Sequence, residues 1–182
     1  SRLGRLLQDQ GKLFEAEPFR REAYAACRDS LGERHEDTLD ALASLAGLLK
    51  VQGKRAEAEA LYLQVLAGQR EIFGDRHKTT LATISNLGSA FQDQGKLDEA
   101  EPFLRESLAA RREMLGNVHK ETLVSISKMG LLLKDKGRLL EAEALYREAL
   151  TARRATLGDR HPSTLVSMST LGGCLRDQGK PD

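Results

Sequence analysis

The chain has 182 residues, with 28 Lys and Arg against 27 Asp and Glu, a formal net charge of +1 and only 4% aromatic residues. Such a balance gives no reason to expect nucleic acid or an anionic membrane as partner, and the few aromatics offer no base-stacking platform. No run of about 20 apolar residues is present to span a bilayer and no basic-then-apolar leader opens the sequence, so a cytoplasmic protein is expected.

In chain order, the elements hang on glycines. Gly11, Gly32, Gly53, Gly74, Gly95, Gly116, Gly137, Gly158 and Gly179 stand 21 residues apart, and a glycine at constant spacing marks a turn at constant spacing, most simply a helix C-terminus. Their contexts alternate between Gln-Gly-Lys, as at Gln52-Gly53-Lys54, and Leu-Gly, as at Leu115-Gly116. The repeat is therefore 42 residues, with two helices and two kinds of turn. Between the marks apolar residues recur three or four apart, as in Leu81, Ile84, Leu87 and Phe91, which is helical spacing. Helices are expected over 2–10, 13–30, 36–51, 55–72, 78–93, 97–114, 120–135, 139–156 and 162–177. The odd members are termed A and the even members B.

Each turn from B to A carries a histidine, in His35-Glu36-Asp37-Thr38-Leu39, His77-Lys78-Thr79-Thr80-Leu81, His119-Lys120-Glu121-Thr122-Leu123 and His161-Pro162-Ser163-Thr164-Leu165. Equivalent atoms in successive layers should lie roughly 8–10 Å apart or more, whereas one zinc ion holds its ligands within about 2.0–2.3 Å. The histidines are expected to hydrogen-bond the helix start, and no metal or cofactor is expected. Cys27 and Cys174 hold unrelated places in the repeat and read as free thiols.

Small residues recur at one A position, Gly4, Ala46, Gly88, Gly130 and Gly172, and at one B position, Ala16, Ala58, Ala100 and Ala142. They mark helix crossings. Leu49, Phe91, Leu133 and Leu175 on A helices, with Phe19, Leu61, Phe103 and Leu145 on B helices, are expected to fill the core. Acidic pairs such as Glu57 and Glu59, or Glu141 and Glu143, recur in every B helix, which points to complementation of the helix dipole and not to one catalytic pair. Neither a glycine-rich phosphate loop nor a strand to carry one is evident, so no catalytic residue is assigned and no enzyme is expected.

The order of leucine, small residue, aromatic or leucine, glycine turn, alanine and aromatic, as in Leu87-Gly88, Phe91, Gly95, Ala100 and Phe103, resembles the tetratricopeptide repeat. The usual period is 34. The 42-residue form, with His161-Pro162-Ser163-Thr164-Leu165 before helix A and Asp93-Gln94-Gly95-Lys96-Leu97-Asp98-Glu99-Ala100-Glu101 between helices, is similar to the kinesin light chain type, which nephrocystin-like proteins share. The resemblance implies an all-α, right-handed superhelical solenoid of antiparallel helix pairs, about nine helices in all, acting as an adaptor. It covers residues 1–182 as one solenoid fragment, with repeats near 1–32, 36–74, 78–116, 120–158 and 162–182. The first repeat lacks its start and the last has helix A alone, as if cut from a longer array. Kinesin light chain repeats typically carry an Asn-Asn-Leu-Ala run on helix A, whose asparagines reach peptide backbone. Ala43-Ser44, Ser85-Asn86, Ser127-Lys128 and Ser169-Thr170 stand there, and only Asn86 matches.

In a superhelix of this kind the A helices line the inner wall, the default binding surface. The residues expected to face it include Arg5, Ser44, Lys50, Ser85, Asn86, Ser89, Ser127, Lys128, Lys134, Ser169 and Arg176, with Leu131 among them. That lining is small, polar and locally basic. It suits an extended peptide with acidic or C-terminal carboxylate groups, because Lys and Arg supply charge-assisted donors and Ser or Asn satisfies peptide backbone. The partner is accordingly a protein or peptide. The alternative is a structural spacer or self-assembling array, stacking end to end through Leu171 and Leu175 on the last A helix.

Overall fold

A computed structural model of the chain describes residues 6–7 and 10–179. Eight helices occupy this span: α1 (Leu13–Leu31), α2 (Glu36–Val51), α3 (Arg55–Phe73), α4 (Lys78–Asp93), α5 (Leu97–Leu115), α6 (Lys120–Asp135), α7 (Leu139–Leu157) and α8 (Pro162–Asp177). No strand occurs among the described residues. The starts agree with the sequence expectation, and the four B helices (α1, α3, α5, α7) each run one residue longer, to the residue before the turn glycine. The helix expected over 2–10 falls mostly outside the described residues.

Contacts group the chain into two compact units, residues 1–95 and 96–182. In the first, α1 packs on α2, α2 on α3 and α3 on α4; in the second, α5, α6, α7 and α8 follow the same order. Each unit is thus a run of antiparallel neighbours with short connections.

The two glycine contexts build two different turns. After α6, Gly137 has φ +75°; its N–H donates to Lys134 O at 2.9 Å and that of Arg138 to Leu133 O at 2.8 Å. This is the Schellman arrangement, which satisfies orphan carbonyls and needs a residue without Cβ at the left-handed position. After α3, Gly74 instead combines φ 81° with ψ 171°, a region essentially restricted to glycine. The chain then reverses over three residues to the next histidine.

Each of those histidines is the N-cap of an A helix. Its Nδ1 accepts from the backbone N–H two residues on, at 3.2 Å for His35 with Asp37, 3.3 Å for His119 with Glu121 and 3.1 Å for His161 with Ser163. His77 does the same with Thr79 and stacks on Phe73 at 4.6 Å. The threonine of the motif is wholly buried in all four copies, so it anchors the helix start to the core while the imidazole satisfies the orphan donor.

The core follows the expected A-helix stripe, with Leu49, Phe91 and Leu133 buried. Ala16, Ala58, Ala100 and Ala142 have no exposed surface at all. At Gly130 a Cβ would come within 2.6 Å of the Tyr146 ring, which shows how closely α6 and α7 approach. Three expectations need correction. On B helices the expected Leu61, Phe103 and Leu145 are half-buried, as Phe19 is, and the residues one further on, Tyr62, Leu104 and Tyr146, are buried instead. α3 touches both α2 and α4, and α7 both α6 and α8, so their buried stripes are rotated from the one a single partner would select. On α8, Leu171 is buried and Leu175 half-buried, and the exposed apolar residues are Leu165 and Val166. The third correction concerns the paired glutamates.

The second member of each pair faces a neighbour. Gln94 Nε2 donates to Glu59 at 2.7 Å, Gln178 Nε2 to Glu143 at 3.0 Å, and Lys54 Nζ to Glu17 at 2.7 Å. Glu101 accepts from Lys136 and, at 2.8 Å, from Arg138 Nη1. The Gln-Gly-Lys turn thus binds the B helix before it through the same Glu-Ala-Glu motif. Dipole complementation accounts for only part of these acids.

Candidate functional site

The A helices carry the residues singled out from the sequence. In the first unit, Ser44 is half-buried on α2, and Lys50 pairs with Asp93 on α4, Nζ to Oδ2 3.1 Å. On α4, Ser85 and Ser89 are buried, and Ser89 Oγ donates to Ser85 O at 3.0 Å, four residues back along the same helix. Asn86 between them is half-buried. Arg5 lies outside the described residues.

In the second unit, Ser127 Oγ donates to Leu123 O at 2.9 Å on α6. Lys128 is half-buried next to it. Lys134 pairs with Asp177 on α8 at 2.7 Å, and the hydrogen bond to that carboxylate raises the lysine's pKa above its ordinary value. Ser169 and Arg176 are exposed on α8. Lys50 with Asp93 and Lys134 with Asp177 are therefore the same tie between consecutive A helices, 84 residues apart. The expected wall is less basic than the sequence suggests, because two of its lysines already have carboxylates.

A cavity of about 510 Å³ opens in the second unit between α6 and α8, with α7 as its floor. Its rim is apolar, from Val124, Leu131 and Val166, all largely exposed. Ser127 and Lys128 line it from α6 and Thr170 from α8. Ser127, Lys128 and Leu131 are thus expected wall residues that the structure gathers around this concavity. Seen from the chemistry, it is an apolar pocket with a few convergent polar groups.

The group that organises this pocket is one the sequence reading passed over. Arg153 rises from α7 between the two A helices. One of its Nη atoms donates to Ser167 Oγ on α8, and the other lies 3.2 Å from both Leu123 O and Ser127 Oγ on α6. Burial pushes its guanidinium below its ordinary pKa. Arg111 holds the same place one repeat earlier, where Nη1 donates to Ser125 Oγ at 2.6 Å and Nε lies 3.8 Å from Glu121. The signal was present: Arg153 falls on the helical stripe of Ala142, Tyr146, Ala149 and Leu150, where a charged residue is out of place.

Among the described residues, no three His, Cys, Asp or Glu side chains come together as a metal site, and no helix is long and apolar enough to cross a membrane. What the fold defines is a helical-hairpin repeat protein. The chain belongs to the tetratricopeptide repeat family, whose sequence model matches residues 1–70, 41–113 and 121–182. Two crystal structures of a Podosopora anserina protein of nearly identical TPR-like repeats, assigned to the kinesin light chains, are similar to it. They show 26% and 27% identity over 98% of this chain and 84% of theirs, at TM-scores of 0.86 and 0.85. BtubC (BKLC) from P. vanneervenii shares the fold at 20% identity, covering 97% of this chain and 70% of its own, with a TM-score of 0.83. No curated protein matches. The repeats are of the kinesin light chain-like type and the fold is the all-α TPR-like solenoid. Such repeats form protein-interaction scaffolds, and the family is typically non-enzymatic.

Proposed function

We propose that the chain is an adaptor whose A-helix wall binds an extended, acidic peptide of a protein partner. The observation that carries this reading is the pocket between α6 and α8, where Ser127, Lys128 and Arg153 converge beneath an apolar rim. A peptide lying across the A helices can place backbone against the hydroxyls and carboxylates against the cations, while its apolar side chains cover Val124, Leu131 and Val166. The two free cysteines suit a reducing compartment, which supports a cytoplasmic setting.

The test is a fluorescence-anisotropy titration of an array of extended peptides, with acidic sequences set against their lysine-substituted counterparts. Acidic members should bind, with affinity falling as salt rises. Lys128→Glu should cut that binding at least about tenfold, as expected for loss of a charge-assisted contact, with the far-UV circular dichroism unchanged. If acidic and basic peptides bind alike, or Lys128→Glu leaves the affinity as it was, the wall is not the site. A mass that grows with concentration in light scattering would favour the self-assembling alternative.

A further inference from the structure

Two arginines of the second unit hold the same place one repeat apart, Arg111 buried and Arg153 half-buried, and they differ in one further respect. Arg111 has a carboxylate nearby, Glu121 on α6. The 42-residue register puts Ser163 at the corresponding place beside Arg153, and Ser163 lines the cavity. Among the described residues no carboxylate forms an ion pair with Arg153, and its three hydrogen bonds all go to neutral oxygens. A guanidinium has five N–H donors, so two of them are left without a protein acceptor. A half-buried charge without a counter-ion favours an anion that can reach it.

The surroundings define the rest of that anion. The cavity is about 510 Å³, within the range of small-ligand sites. Its walls are Val124, Leu131, Ala149, Pro162 and Val166, which favour a hydrocarbon body over a hydrated ion such as phosphate. Lys128 adds a second positive charge at the side. We infer that this pocket is a seat for a carboxylate carried on an apolar body, with Arg153 as its charged partner and the absence of an acid at position 163 as the feature that leaves the seat open. The proposal deepens the peptide reading by naming the group taken at one point of the wall, and rests on that reading only where the carboxylate belongs to a peptide. A free amphipathic acid has the same chemistry.

The probe is octanoate, titrated into the full chain by calorimetry, with octanol as the neutral control of equal tail length. Octanoate should bind at least about tenfold more tightly than octanol, as a charge-assisted contact requires. Two substitutions test the partner with residues the array already tolerates in register. Ser163→Glu places the acid of Glu121 beside Arg153, at a helix first turn where a carboxylate is favourable. Arg153→Gln installs the residue that Gln69 provides, buried, at the same position. Both should remove the preference for octanoate while leaving octanol binding in place.

Equal affinity for octanoate and octanol, or a preference that survives Ser163→Glu, overturns the proposal. The acidic peptide separates this outcome from failure of the wider reading. Octanoate binding lost in Ser163→Glu while peptide binding persists upholds the seat and places the peptide elsewhere on the wall. No octanoate preference, with peptide binding still lost in Lys128→Glu, sinks the seat and leaves the peptide reading standing.

Discussion

Lys134 Nζ lies 2.7 Å from Asp177 Oδ2, joining the C-terminal ends of two consecutive A helices that have no direct link in the chain. Lys50 and Asp93 repeat the arrangement in the other unit at 3.1 Å. Both pairs sit partly in solvent, where screening and side-chain entropy limit an ion pair to about 1 kcal/mol or less. A double-mutant cycle of Lys134→Met and Asp177→Asn, read by urea denaturation, should give a coupling energy below about 1 kcal/mol that shrinks in about 1 M salt. A larger, salt-insensitive coupling would mean that the tie is shielded from water.

Glu101 provides the pH dependence. The hydrogen bond from Lys136, with that from Arg138, holds its carboxyl down at about 2 against the upward push of burial. A depressed carboxylate contributes stability above its unfolded value, 4.5, and loses it as pH falls towards 2. Unfolding free energy should therefore drop by on the order of 1–2 kcal/mol between pH 5 and 3 through this group. Lys136→Met should flatten that part of the profile, and an unchanged slope would remove Glu101 from the account.

The crossing of α6 and α7 predicts a steric asymmetry. Gly130→Ala drives its methyl to 2.6 Å from Tyr146 Cε1, so overpacking should cost about 1–3 kcal/mol. Trimming the ring in Gly130→Ala with Tyr146→Leu should recover part of that loss. Thermal melts of the two variants measure it, and Gly130→Ala melting like the parent would show that α7 gives way.

The histidine caps predict a graded effect. His119→Ala leaves the Glu121 N–H without its acceptor and should lower stability by about 1 kcal/mol, whereas His119→Asp, with an oxygen in reach of the same donor, should lose less. Equal losses would indicate that the imidazole matters for packing and not for the hydrogen bond.

Much of this fold is readable in the chain because glycine and histidine act locally. Gly53 and Gly137 end helices by a conformation other residues avoid, and His35 and His161 bond within two residues of themselves. Their meaning does not depend on what packs nearby. Packing between helices is where the reading slipped. Leu61 and Tyr62 are both apolar and adjacent, and only the second neighbour of the B helix decides that Tyr62 is inside. Lys50 and Lys134 read as open cations because their partners, Asp93 and Asp177, are 43 residues away. Arg153 was passed over for the opposite reason: its importance comes from an acid that the register provides at Glu121 and withholds at Ser163.

The bonds from each Gln-Gly-Lys turn have a direction. Where such a turn bonds back to the preceding B helix, the donor lies 35 to 39 residues after its acceptor, from Gln52 on Leu13 O to Gln178 on Glu143. Each unit is for this reason chemically unlike at its two ends, with acceptors offered forward along the chain and donors backward. Layers added head to tail meet matched groups, and layers brought head to head would set carboxylate against carboxylate. The array has a built-in polarity, like a filament with distinct plus and minus ends, written into one glutamate and one glutamine or lysine per repeat.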